Sequence, residues 1–398
     1  MRALVDDYEI PPMPDMLARG PDETESWISA ENLDCDHLSA FTLALSNVLS
    51  TEVAELTYAQ IIDGLPTRES YAEFRSFYPA EDEHPAYKHH HLCDGALDIA
   101  RQFRSTLSPL ALRFNPHVLQ AFQNEPVASR RFLLRLIELV AVALHQIAVH
   151  LFELDQSLHK GEYDEWWTSW RDRHRDGQDV NPFYAVAFPP VAFCHGFYRA
   201  FDQYPRGRAD MVGYWAEAKI LGGVALFDRG QSDLECNEFL LHGSLRGGPR
   251  TIYPLTTSQW QAFADFLTSD PSGPANLGSP LPLRATSENR PRYTSYFAMK
   301  YQHIFRDRFA FRLPARYEAP VSCKSSSIDY PEKEDWHWVV NHTLDRADGN
   351  PIDEAEMARR TEVLRACQPG SPFSYAPWPE EILIAEGRDP KVNHNNTW

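Results

Sequence analysis

The chain reads as mainly helical: a helical body around one long central helix, with a small antiparallel β meander (an α+β arrangement). Three observations predict this class. Apolar residues recur at three- and four-residue spacing through the first half of the chain. One stretch, Ser129 to about His159, is apolar on nearly every face. Around Ile220 the period shortens, and apolar runs alternate with turn residues.

Residues 1–35, with Pro11, Pro12, Pro14 and Pro21, read as an extended N-terminal arm. From Asp36, "DHLSAFTLALSNVLS" sets Leu38, Phe41, Leu45, Val48 and Leu49 at helical spacing behind an Asp cap. A second helix is expected over about Ser50 to Ile62, and a third opens at Thr67. Residues 78–95, "YPAEDEHPAYKHHHLCDG", form a polar loop with three consecutive histidines. The segment from Ser129 to about His159 would make roughly 45 Å of helix at about 1.5 Å per residue, which belongs in the centre of the protein. "EYDEWWTSWRDRH" predicts an amphipathic aromatic helix. Another is predicted after Pro189-Pro190, with Phe193, Phe197, Phe201 and Tyr204 on one stripe.

A three-stranded meander follows, "ILGGVALFD", "CNEFLLH" and "RTIYPL". A helix from Ser258 then places Trp260, Phe263, Ala264 and Leu267 on one face. Beyond Ser269 the chain is rich in Pro and Gly, with one clear late helix at "IDEAEMARRTEVLRAC". The organisation is thus 1–35 arm, 36–215 helical body, 216–270 meander plus helix, and 271–398 an irregular Pro-rich region with one helix.

The formal charge of −18 over 398 residues repels phosphate backbones and anionic headgroups, so nucleic acid and membrane surfaces are excluded as expected partners. Aromatic residues make up 12% of the chain, ample for a sizeable core. The cysteines, Cys35, Cys93, Cys194, Cys236, Cys323 and Cys367, are widely separated and form no C-x-x-C pair. That pattern argues against a zinc ribbon and against a disulfide scaffold, and predicts reduced thiols. "MRALVDDYEIPPMPDML" has no apolar signal core. The most apolar stretch, Phe132 to Leu154, is interrupted by Arg135, Glu138, His145, His150 and Glu153, so a cytoplasmic protein is expected. The N-x-T sequons at Asn341 and Asn395 then read as accidents of composition.

Four constellations could carry chemistry. His150 and Glu153 share a face of the central helix while His145 points elsewhere, so they cannot form one metal site; core histidines bridging helices explain them too. His89, His90 and His91, near Glu81, Asp82 and Glu83, have suitable donor types for a metal. Consecutive residues diverge, however, and a solvated loop is the expected reading, with no metal ligand assigned. His195, Arg199 and Asp202 would form an exposed helical stripe of ion pairs. The meander and its flanks gather Trp215, Glu217, Asp228, Arg229, Glu235, Glu238 and His242. There a carboxylate could orient the His242 imidazole as a general base, while plain turn geometry explains the same residues without function.

"YWAEAKILGGVALFDRG", "ECNEFLLHG", "RTIYPLTTSQWQAFADFL" and "WISAENLDCDHLSAFTLAL" resemble blocks of a widespread family of filamentous-fungal proteins, over roughly Tyr8 to Asp270. The resemblance implies a soluble fungal protein encoded beside specialised-metabolite genes, and it carries no activity to transfer. The expected function is an enzyme acting on a small, largely apolar metabolite by acid–base chemistry. His242 would be the acid/base, Glu217 or Asp228 its orienting carboxylate, Arg229 an anion contact, and His145, His150 and Trp215 pocket residues. Alternatives are a non-catalytic protein-interaction module and a haem or non-haem metal oxygenase with His145, His150 or His303 as ligand. The cofactor and the oligomeric state are left open.

Overall fold

The computed structural model describes residues 27–74, 84–175, 188–270, 278–308, 310, 312–313, 326–368, 370–374 and 384. Most of the arm expected over 1–35 lies outside these residues, as do Glu81, Asp82 and Glu83.

The described chain opens with β1 (Ile28–Ser29), which pairs with β2 (Arg113–Phe114). Between them lie α1 (Cys35–Leu49), α2 (Glu52–Asp63), α3 (Arg68–Phe74), α4 (Pro85–Lys88) and α5 (Ala96–Thr106). Their ends are written locally. The Asp34 carboxylate accepts hydrogen bonds from the amides of Asp36 and His37, and the Thr51 hydroxyl accepts one from Ala54. Gly64, at φ 99°, ends α2 in the left-handed conformation that favours glycine.

After α6 (Pro116–Gln123) comes α7 (Arg130–Glu153), capped by Ser129 and packed against α1, α2, α6 and α9 (Arg208–Leu221). Leu136, Leu139, Leu144 and Ile147 are wholly buried, and burial of such a side chain contributes about 1.5–3 kcal/mol. The helix is long and apolar enough to cross a membrane by length and composition, and 89% of its most apolar window is buried inside the protein. It stops at Glu153 rather than near His159. Asp155 takes φ 50°, and the chain folds back over the end of α2, where the His159 amide donates to the Asp63 carbonyl.

The aromatic helix is present as α8 (Glu162–Arg175), but no helix follows Pro189-Pro190. Residues 191–200 are irregular, with one 3-10 turn at Phe201–Gln203, so the predicted His195–Arg199–Asp202 helical stripe does not exist. The segment is tied to residues 242–244 instead: the Gly196 amide donates to the Ser244 hydroxyl, and His195 Nε2 lies 3.1 Å from the His242 carbonyl.

α9 runs to Leu221 and ends at Gly222, φ 100°, so the opening Ile220-Leu221 of the expected first strand is helix. The meander then forms as β3 (Val224–Asp228), β4 (Phe239–His242) and β5 (Ile252–Pro254). α10 (Thr257–Thr268) follows behind a reciprocal Thr256/Gln259 capping box. Past residue 270 the described residues hold α11 (Ser295–Tyr301), β6 (Ile304–Phe305), α12 (Glu332–Ala347) and α13 (Glu354–Arg365), where the pattern had picked out one helix. β6 pairs with β3, giving a four-stranded antiparallel sheet in the order β5-β4-β3-β6. α12 and α13 enclose a small core of their own, Tyr330, Val339, Met357, Leu364 and Phe373.

Candidate functional site

The hairpin register separates the residues expected to act together. In an antiparallel pair the strand ends reverse, so His242 lies opposite Val224 while Asp228 is at the far end of β3, roughly 14 Å away at about 3.4 Å per residue. Asp228 accepts a hydrogen bond from the Gly230 amide at 2.9 Å, which shapes the turn. His242 is wholly buried and takes neither Asp228 nor Glu217 as partner. Its Nδ1 lies 3.1 Å from the Tyr198 hydroxyl, and its ring stacks on Phe197. Burial holds its pKa well below the usual histidine range, with His195 adding to the effect. Burial likewise takes His195 down to about 3. Both are neutral, enclosed imidazoles.

Arg229 is also a buried tie, not an anion contact. It pairs with Glu138 at 2.7 Å, and Glu138 in turn pairs with Arg135; its other donors reach the carbonyls of Phe305 and Arg306 at 3.1 Å. Trp215 packs on Phe193 in the core, and His150 stacks on Phe103.

Glu217, expected beside His242, instead meets His145 in a buried network. α7 contributes His145, α9 contributes Asp210 and Glu217, and the residue after β6 contributes Arg306. His145 Nδ1 donates to Glu217 Oε1 at 2.8 Å, and Nε2 donates to Asp210 Oδ1 at 2.9 Å. Arg306 pairs with Glu217 and lies over the Tyr214 ring. A Cβ on Gly213 would sit 2.5 Å from the imidazole, so that glycine makes the close approach of α7 and α9 possible. Burial alone would keep His145 neutral, but its bonds to Asp210 and Glu217 prevail and raise its pKa. Burial would raise Glu217, yet the Arg306 charge and the His145 bond hold it low. Charge therefore alternates along Asp210, His145, Glu217 and Arg306, and each is answered by a neighbour. His303 belongs elsewhere: its Nδ1 lies 2.6 Å from Asp233. His145, His150 and His303 do not converge as ligands.

A different set converges beside a surface cleft of about 350 Å³. The cleft lies between the end of α7, the 154–161 loop and residues 190–193. Leu151, Phe152, Val191 and Phe193 give it an apolar wall, while Glu153, Asp164, Arg208 and His159 bring ionisable groups to it. Behind His159 stand Asp63, at the last turn of α2, and His89 and Cys93 from the loop after α4. One donor atom from each lies within 4.8 Å of every other. Asp63 Oδ2 accepts from the Cys93 amide at 3.0 Å and sits 3.0 Å from His89 Nε2, but those two atoms are not aligned as a hydrogen bond. Asp63 Oδ1 is buried without a hydrogen-bond partner among the described residues, 3.9 Å from His159 Nε2. Cys93 Sγ is 3.4 Å from the same nitrogen.

The far nitrogens are fixed from outside, His89 Nδ1 by the Pro66 carbonyl at 3.1 Å and His159 Nδ1 by Glu162 at 2.7 Å. Burial would raise Asp63, but His89 and the Cys93 amide lower it; the neighbouring Asp63 carboxylate raises His89; burial and Asp63 push the Cys93 thiol up to about 11. Of the three consecutive histidines, only His89 is buried, and His90 and His91 are exposed. Sequence spacing offered a weak signal, His-x-x-x-Cys within one loop, but Asp63 and His159 come from remote segments.

Comparison of the chain with protein-family models, curated proteins and solved structures gives no match.

Proposed function

We propose that the chain is an enzyme of fungal specialised metabolism that takes a small, largely apolar molecule into the cleft between α7, the 154–161 loop and residues 190–193. The reading that places acid–base chemistry on His242 is moved to this cleft, because His242 is enclosed and neutral. The observation that carries the proposal is convergence: an apolar wall of Leu151, Phe152, Val191 and Phe193 faces His159, Glu153, Asp164 and Arg208 across a concave volume of ligand size. A docking surface for a protein would instead present an exposed apolar patch without a cleft.

Apolar residues would hold the body of the substrate, and the rim charges would orient its polar end and exchange protons with it. Replacing the gene with Phe152→Trp or Arg208→Glu variants and comparing metabolites with the deletion strain tests this. The expected result is the same missing product in all three, with product retained in Arg199→Ala, which lies outside the cleft. Unchanged product in both cleft variants would overturn the assignment.

A further inference from the structure

We propose that Asp63, His89, Cys93 and His159 bind one zinc ion. The donor set is two imidazole nitrogens, a thiolate and a carboxylate oxygen, the combination that suits a borderline-soft dication with tetrahedral preference. With bonds of about 2.0–2.3 Å, tetrahedral zinc sets its ligand atoms roughly 3.3–3.6 Å apart. His89 Nε2 lies 3.0 Å from Asp63 Oδ2, Cys93 Sγ 3.4 Å and Asp63 Oδ1 3.9 Å from His159 Nε2, and one donor atom from each of the four residues lies within 4.8 Å of every other, so binding an ion requires the set to draw together.

Three further features point the same way. Two of the inward atoms are unsatisfied: Asp63 Oδ1 has no hydrogen bond among the described residues, and His89 Nε2 approaches Asp63 without the alignment of one, while Cys93 Sγ and His159 Nε2 hydrogen-bond to each other. Both imidazoles have their outer nitrogen fixed, by the Pro66 carbonyl and by Glu162, which orients Nε2 toward the centre as outer partners do for metal-bound histidines. The Asp63 carboxylate and a Cys93 thiolate together balance a dication. A hydrogen-bonded Cys93–His159 pair accounts for only two of the four groups and leaves Asp63 Oδ1 and His89 Nε2 unsatisfied beside it. One ion accounts for all four.

Four protein ligands make a closed site of the kind that ties segments together. Here they join the end of α2, the loop after α4 and the 154–161 loop, and so fix the cleft wall that carries His159. The inference rests on the functional reading only for the meaning of that wall, because zinc binding is measured without any activity.

The purified full chain, stripped with chelator and reloaded with zinc alone, is expected to retain one zinc per chain by elemental analysis. Loading with cobalt should give a thiolate charge-transfer band and tetrahedral ligand-field bands. Cys93→Ser and His159→Ala should lose both, Glu162→Gln should weaken binding about 10–100-fold, and His90→Ala should change nothing. Should Cys93→Ser fail to fold, zinc protection of wild-type Cys93 from alkylation, with Cys35 unprotected, decides the same point. No retained zinc, an unaltered cobalt spectrum in Cys93→Ser, or alkylation of Cys93 at an unchanged rate with zinc present would each overturn the proposal, whatever the metabolite comparison gives.

Discussion

Two clusters in this molecule use similar side chains and reach opposite conditions. In the first, Asp210, His145, Glu217 and Arg306 alternate in sign, both His145 nitrogens have carboxylate partners, and the set is complete within the core. In the second, Asp63, His89, Cys93 and His159 turn their donor atoms toward a common centre, and the buried Oδ1 of Asp63 is left without a bond among the described residues. Buried polar groups are nearly always satisfied, so a complete network reads as structure and an incomplete one reads as a place for a ligand. Residue type does not distinguish the two; hydrogen-bond accounting does.

The largest effect should come from breaking the complete network. Glu217→Ala strands Arg306 and His145 in the core, and removing one partner of a buried pair costs about 3–5 kcal/mol. Denaturant unfolding of the two proteins measures it, and a cost below about 1 kcal/mol would remove the claim that this cluster holds α7, α9 and the residue after β6 together. The next effect belongs to the incomplete cluster. Zinc at about one hundred times its dissociation constant should stabilise the wild type by about 2.7 kcal/mol. The increment should vanish in Cys93→Ser and persist in any folded Glu217 variant; a zinc response that fails in the Glu217 variant would show that the clusters are not independent.

Smaller and pH-dependent is the contribution of His145. Its folded pKa is raised, so its stabilisation is fully present below the unfolded value of about 6.5 and is lost as pH rises through the folded value above it. The stability gap between wild type and His145→Gln should therefore narrow as pH is taken upward from about 6.5, and a gap that widens contradicts a charged His145. His195 and His242 act in the opposite sense, since their pKa values are lowered and the folded state resists their protonation as pH falls below about 6.5. Smallest of all, substituting exposed His90 or His91 should alter stability by no more than about 0.5 kcal/mol. An effect on zinc retention from either would redraw the ligand set.

Helices with local start signals were legible in the sequence. The Asp cap at the start of α1, the apolar run of α7 and the turn-separated runs of the meander each act over a few residues. The aromatic stripe at Phe193, Phe197, Phe201 and Tyr204 misled, because aromatic spacing reports burial as well as helix: here Phe193, Phe197 and Tyr204 pack irregularly against the core and β4, while Phe201 is exposed. Of the expected site residues, the sequence makes Glu217 the carboxylate of His242 and His145 a pocket residue, and the structure joins the two to each other instead. Their partners were not legible: Asp210 enters from the other end of α9, and Arg306 arrives only because β6 joins the sheet.

The sequence by itself determined the helical class, the central place of α7 and the position of the meander, because apolar periodicity and capping are short-range. Only the tertiary structure decided which ionisable groups are quenched and which converge. Asp63, His89, Cys93 and His159 lie on three segments whose meeting depends on the chain reversing after Glu153, where Asp155 turns the 154–161 loop back so that the His159 amide bonds the end of α2. Convergence of that kind is set by packing and loop closure, to which no local spacing corresponds.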